Sequence, residues 1–239
     1  SWARDVYKRQ YYNNAILLTG LTGLITMIPC LYFYKKDCRA RIAGGLVTGQ
    51  KPNRLSIGEC GLILVMGAGF AQFANMFVNM IGSFLNAEEY QETMSQLTDG
   101  KSMFFLIVCM GIIAPLAEEI VFRWLIYLRL RDYMRSGEAI VISGLFFGIY
   151  HGNLVQGVYA SILGCLFAYF LEQTGSLWTS VLLHMGANIW SLVLPELAAW
   201  LLDRYPMGIA VMLVLLLTGM CAGISYFRNR TDTEQRRII

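Results

Sequence analysis

Three short polar clusters interrupt the apolar stretches of this chain, and they hold both of its histidines. They read Glu118-Glu119-Ile-Val-Phe-Arg123, Phe147-Gly-Ile-Tyr-His151 and His184-Met-Gly-Ala-Asn188. Titratable groups inside an apolar span are costly, so each cluster is a functional hypothesis. At helical spacing Glu119 and Arg123 lie about 40° apart on one face and can form an ion pair. Glu118 is turned about 100° from Glu119 and about 140° from Arg123, away from that partner. A carboxyl without a counter-charge in low-dielectric surroundings holds its proton more firmly than one in water, which suits a general base. His184 and Asn188, also one turn apart, present two hydrogen-bonding groups side by side. Phe147 sets a ring one turn from His151.

Each cluster also has a structural reading. Glu-Glu followed by Arg is common as the solvated face of a soluble helix, a histidine at a helix end is often structural, and His-x-x-x-Asn can join helices. Gln72, Asn75 and Asn79, with Asn153 and Gln156, either line a wet cavity or bond between helices. The 12 Met and the scattered Cys read as lipid-facing or packing residues.

The elements that must position these clusters follow from composition. The chain has 239 residues, 56% of them apolar and 15% charged, against about 25% charged in soluble domains. Its mean hydropathy is +0.51. That leaves too little polar surface for a soluble globule. The balance of 19 basic and 16 acidic residues, with no basic domain, argues against nucleic-acid partners. Six Cys without a C-x-x-C pair exclude a disulfide scaffold, and the shortage of charge and proline excludes disorder. The expected fold is all-α, a polytopic transmembrane helical bundle in the lipid bilayer.

Seven spans of about the length that crosses a bilayer are expected at Asn14–Tyr34, Leu55–Gly82, Met103–Leu128, Glu138–His151, Leu154–Leu171, Ser176–Leu194 and Met207–Phe227. The fourth is short enough to stop inside the protein. Turn signals separate them at Gly44-Gly45, Lys51-Pro52-Asn53, Ser136-Gly137, His151-Gly152-Asn153, Thr174-Gly175-Ser176 and Pro206. Ser1–Gln10 reads as a translated cloning or assembly scar, because Asp5–Gln10 back-translates to a sequencing-adapter end. The expectation is then that the native start, with an eighth helix, is missing. Residues 11–230 would form one transmembrane domain and 231–239 a cytoplasmic tail.

Alternating the spans places 13 basic residues on one face, including Arg39, Arg41, Arg129, Arg131 and Arg228. The other face carries Lys101, Arg204 and the acidic loop of Glu88, Glu89, Glu92 and Asp99. The positive-inside rule makes the first face cytoplasmic. At about 1.5 Å per residue, Glu118 lies about 16 Å from Arg129, His151 about 20 Å from Glu138 and His184 about 12 Å from Ser176. All three clusters therefore fall in one slab near mid-membrane.

In order, the three motifs resemble the signature of the CPBP intramembrane metalloprotease family. This is the CAAX protease and bacteriocin-processing, or Abi, family, which includes the type II CAAX prenyl endopeptidases. The resemblance covers about Met103–Pro195. It implies that Glu118 with His151 activates a water and that His184 and Asn188 stabilise the oxyanion, with Glu119, Arg123 and Phe147 in support. Amide hydrolysis needs those groups, so the residue types agree with the resemblance. No cofactor is expected. The alternative within hydrolysis is zinc held by Glu118, His151 and His184, although no His-Glu-x-x-His helix is present. The implied partner is a membrane-associated peptide or protein, prenylated in the CAAX members, and the implied location is the bacterial cell membrane. A non-enzymatic immunity or scaffold protein is the reading from another class.

Overall fold

The computed structural model describes residues 2–46, 54–80, 87–205 and 207–231. Lys51-Pro52-Asn53, Gly82, Pro206 and the tail from 232 onward lie outside the described residues. Among those described there are helices and no strands. The helices are α1 (Trp2–Ala43), α2 (Ile57–Met80), α3 (Ala87–Thr98), α4 (Met103–Tyr133), α5 (Ser136–Tyr150), α6 (Leu154–Thr174), α7 (Leu177–Arg204) and α8 (Gly208–Thr231).

Six of these, all but α3 and α5, are long and apolar enough to cross a membrane. The bundle is that of a polytopic integral membrane protein, as composition predicts. The fourth span is short, as its sequence indicates. The expected fourth span is the 15-residue helix α5, about 22 Å long against a hydrocarbon core of about 30 Å. It stops at His151 because the chain turns there. Gly152 takes a φ of +67°, the left-handed conformation that ends helices at least cost on glycine. The Asn153 side chain then accepts a hydrogen bond from Gln156 N at 3.2 Å and caps α6. The acidic loop also contains a helix, α3, that the sequence reading left as loop.

Two close helix contacts set the centre of the bundle. A Cβ on Gly67 of α2 would fall on the Leu183 carbonyl of α7, and one on Gly186 would fall on the Leu64 carbonyl. Small residues let membrane helices approach this closely where lipid supplies no hydrophobic drive. Around that contact Ile63, Met66, Phe70, Phe167 and Leu183 form one core cluster. Ile120, Trp124, Tyr127, Leu171 and Val181 form a second, under α1 and α4.

Ion pairs tie helix ends together on the arginine-rich side. Arg41 reaches Asp132 at 2.9 Å, Arg129 reaches Asp37 at 2.6 Å, and Arg131 reaches Glu172 at 2.8 Å. Tyr127 donates its hydroxyl to the other Glu172 oxygen at 2.6 Å. These bonds gather the ends of α1, α4 and α6, as alternation of the spans requires.

Candidate active site

Helix α4 is continuous but not regular. Two π-helical stretches, Ile107–Ile113 and Ile120–Tyr127, flank the α-helical turn Ala114–Glu119. Such wide turns occur frequently at functional sites. Pro115 accounts for the consequence of the first. In the π register the Ala114 N–H donates to the Cys109 carbonyl, so the next donor, to Met110, would be the nitrogen of Pro115. Proline has no N–H to give. Asn188 Nδ2 fills the gap from α7, donating to Met110 O at 2.9 Å.

Within the α-helical turn the two glutamates separate. Glu119 is fully buried and its Oε1 accepts from Arg123 Nη1 at 2.9 Å, also fully buried. The same oxygen faces His184 Nδ1 at 2.9 Å. Arg123 Nη2 donates to the Gly164 carbonyl of α6 at 2.9 Å. Its guanidinium carbon sits 4.5 Å from the Phe147 ring centre and 5.4 Å from that of Phe167, within cation–π range. Residue 164 must be small, since a Cβ there would lie 3.0 Å from Arg123 Nη2 and 3.1 Å from Phe147.

Glu118 has no part in the Arg123 pair. Its side chain keeps 18% exposure, and Oε2 stands 3.6 Å from His184 Nε2, longer than a hydrogen bond. The His184 ring therefore lies between two carboxylates, with Glu119 fixing its Nδ1 side. Phe147 packs edge-on against both histidines, 4.8 Å from His151 and 5.4 Å from His184. His151 Nδ1 bonds the Phe147 carbonyl at 2.8 Å. A carbonyl only accepts, so Nδ1 carries the hydrogen and Nε2 is the acceptor of the neutral ring.

All three sequence clusters thus meet, through Phe147 and His184, on α4, α5 and α7. The sequence reading did not foresee the Glu119–His184 bond, the Gly164 carbonyl or the Phe167 ring. It separated Glu119 from Glu118 by angle but assigned His184 no carboxylate partner. A fourth element, α6, completes the site with the Gly164 carbonyl and the Phe167 ring. The secondary polar residues share a place: Gln72, whose Oε1 accepts from Trp190 Nε1 at 2.9 Å, lines one cavity with Asn75, Asn79, Gln156 and Asn188.

Zinc needs three protein ligands about 2.0–2.2 Å from one point. Among the described residues no three His, Cys, Asp or Glu side chains gather to hold an ion. Glu118 and His184 approach to 3.6 Å, and the Nε2 atoms of His151 and His184 are the ring nitrogens a zinc would use.

Residues 100–190 match the family model described as Type II CAAX prenyl endopeptidase Rce1-like. That stretch contains all three clusters, so the resemblance stated from the motifs is borne out. The curated Bacillus subtilis (strain 168) protein named "Putative membrane peptidase YdiL" is 26% identical over 183 residues, covering 76% of this chain and 74% of its own length. No solved structure matches the chain significantly.

Proposed function

We propose that this protein is an intramembrane endopeptidase of the glutamic type. Glu118 with His151 takes a proton from water, and His184 and Asn188 donate to the oxyanion that forms. The observation that carries the reading is the division of labour between adjacent carboxylates. Glu119 is bonded twice and sealed, whereas the Glu118 side chain stays 18% exposed beside His184 Nε2. A base must be reachable by water and a support need not be. The Nε2 of His151, with its Nδ1 proton engaged, is the atom that can share the proton. With Nδ1 of His184 held by Glu119, Nε2 is the edge left to face substrate, and it donates when the ring carries both protons.

Asn188 has two amide hydrogens and Met110 takes one, which leaves one for an oxyanion. Asn188→Ala should therefore do two separable things. Loss of the interhelical bond costs about 0.6–1.7 kcal/mol in membrane helices, not enough to unfold the bundle. Loss of one oxyanion donor lowers turnover by about 10²–10³-fold. Thermal unfolding and turnover measured on the same purified variant separate the two. Near wild-type turnover in Asn188→Ala would remove it from the chemistry.

Metal dependence is tested directly by exhaustive chelation. The glutamate mechanism keeps its activity in the chelated protein. Recovery only on adding zinc would establish the metal reading instead.

The orientation belongs to the same proposal. The arginine-rich end, with Arg39 and the C-terminal tail, faces the cytoplasm of a bacterial cell, and the acidic loop faces out. In a cysteine-free background, an impermeant thiol reagent on intact cells should label Asp99→Cys and spare Arg39→Cys. The opposite pattern would invert the topology.

A further inference from the structure

A cavity of about 990 Å³ opens between α2, α3, α4, α6 and α7. Asp99, Lys101 and Glu196 line it together with Asn188, which lies about two turns of α7 before Glu196. Amides share its walls with aliphatic side chains such as Met76, Met103 and Met110. Asn75 and Asn79 come from α2, Gln156 from α6 and Asn188 from α7. Side-chain amides facing hydrocarbon would be left unsatisfied at a cost of kilocalories each, so a space they line holds water or a polar guest.

Resting on the peptidase reading, we propose that this cavity receives an extended, unlipidated stretch of polypeptide from the acidic-loop side. Each peptide unit offers one N–H and one C=O, and an Asn or Gln side chain offers the complementary pair. These four side chains on three helices match a backbone and are themselves uncharged, while Asp99, Lys101 and Glu196 bring charge to the same lining. An isoprenoid chain would instead strip water from these amides and give nothing back. The length fits too. From Asn188 to Glu196 helix α7 rises about 12 Å, the span of about three or four extended residues at about 3.3 Å each. A peptide entering there ends beside Asn188, one turn from His184. That delivers the scissile carbonyl to the proposed oxyanion donors.

The test reads binding rather than cleavage. Asn75→Cys and Gln156→Cys, each in a cysteine-free Glu118→Gln background, are exposed to a membrane-impermeant thiol reagent in intact cells and in inverted vesicles. Asp99→Cys marks the acidic-loop side. Both cavity positions should label from the side that labels Asp99→Cys and not from the other. A mixture of short unlipidated peptides should slow the labelling severalfold, and N-acetyl-S-farnesylcysteine should not. Labelling from the arginine-rich side, absence of labelling, protection by the farnesyl compound or no protection by peptides would each overturn the proposal. If the peptidase reading alone is wrong, peptides still protect while the active-background protein cleaves nothing.

Discussion

Glu118→Gln should lower turnover by about 10²–10⁴-fold, the usual contribution of a positioned general base, and leave thermal stability close to wild type. The two halves of this expectation rest on different observations. The chemical half rests on access: Glu118 is the member of the Glu118/Glu119 pair that keeps 18% of its side chain exposed, 3.6 Å from His184 Nε2. The stability half rests on what Glu118 does not do. It makes no ion pair with Arg123, and its 3.6 Å contact with His184 is longer than a hydrogen bond, so an isosteric amide costs little stability. A paired measurement of peptide-bond cleavage and unfolding temperature on purified protein checks both. A Glu118→Gln protein that unfolds would mean that this carboxylate is the structural one.

Arg123→Ala should do the reverse and damage folding first. Arg123 and Glu119 are both fully buried and joined at 2.9 Å. Removing one partner strands the other charge, which costs about 3–5 kcal/mol in buried pairs. The same substitution also orphans the Gly164 carbonyl and empties the space between Phe147 and Phe167. Lost expression or a large drop in unfolding temperature is therefore expected before any change in turnover can be read. Arg123→Lys restores a charge but not the fork that grips Glu119 and Gly164 together, so it should recover stability only in part. A stable Arg123→Ala protein beside an unstable Glu118→Gln protein would exchange the roles of the two glutamates.

Much of this was legible in the sequence because charge in lipid is expensive. The three clusters, the Glu119–Arg123 pair and the helical bundle all follow from that cost and from helical spacing. The gathering of the arginine-rich helix ends follows from alternation. What escaped has physical reasons as well. The fourth apolar window is short in the sequence itself, but the point where α5 stops is set by Gly152, which turns the chain. The π-helical turns of α4 leave no trace in apolar periodicity, although Pro115 was a signal that one carbonyl would lack its donor. The Glu119–His184 bond joins residues 65 positions apart, and only packing brings them together. Gly164 carries no side chain to flag, and its role lies in its carbonyl and its lack of a Cβ. The acidic loop gave its charge but hid α3, whose polar residues lack the apolar run by which the other helices declare themselves.

The central claim is that Glu118 makes this membrane protein a peptidase. Its most direct test compares the termini of membrane-associated peptides, mapped by mass spectrometry, in cells carrying either the wild-type protein or Glu118→Gln at equal abundance. The account predicts new peptide termini with the wild-type protein that vanish with Glu118→Gln. Identical termini in the two, with both proteins folded and present, would contradict it.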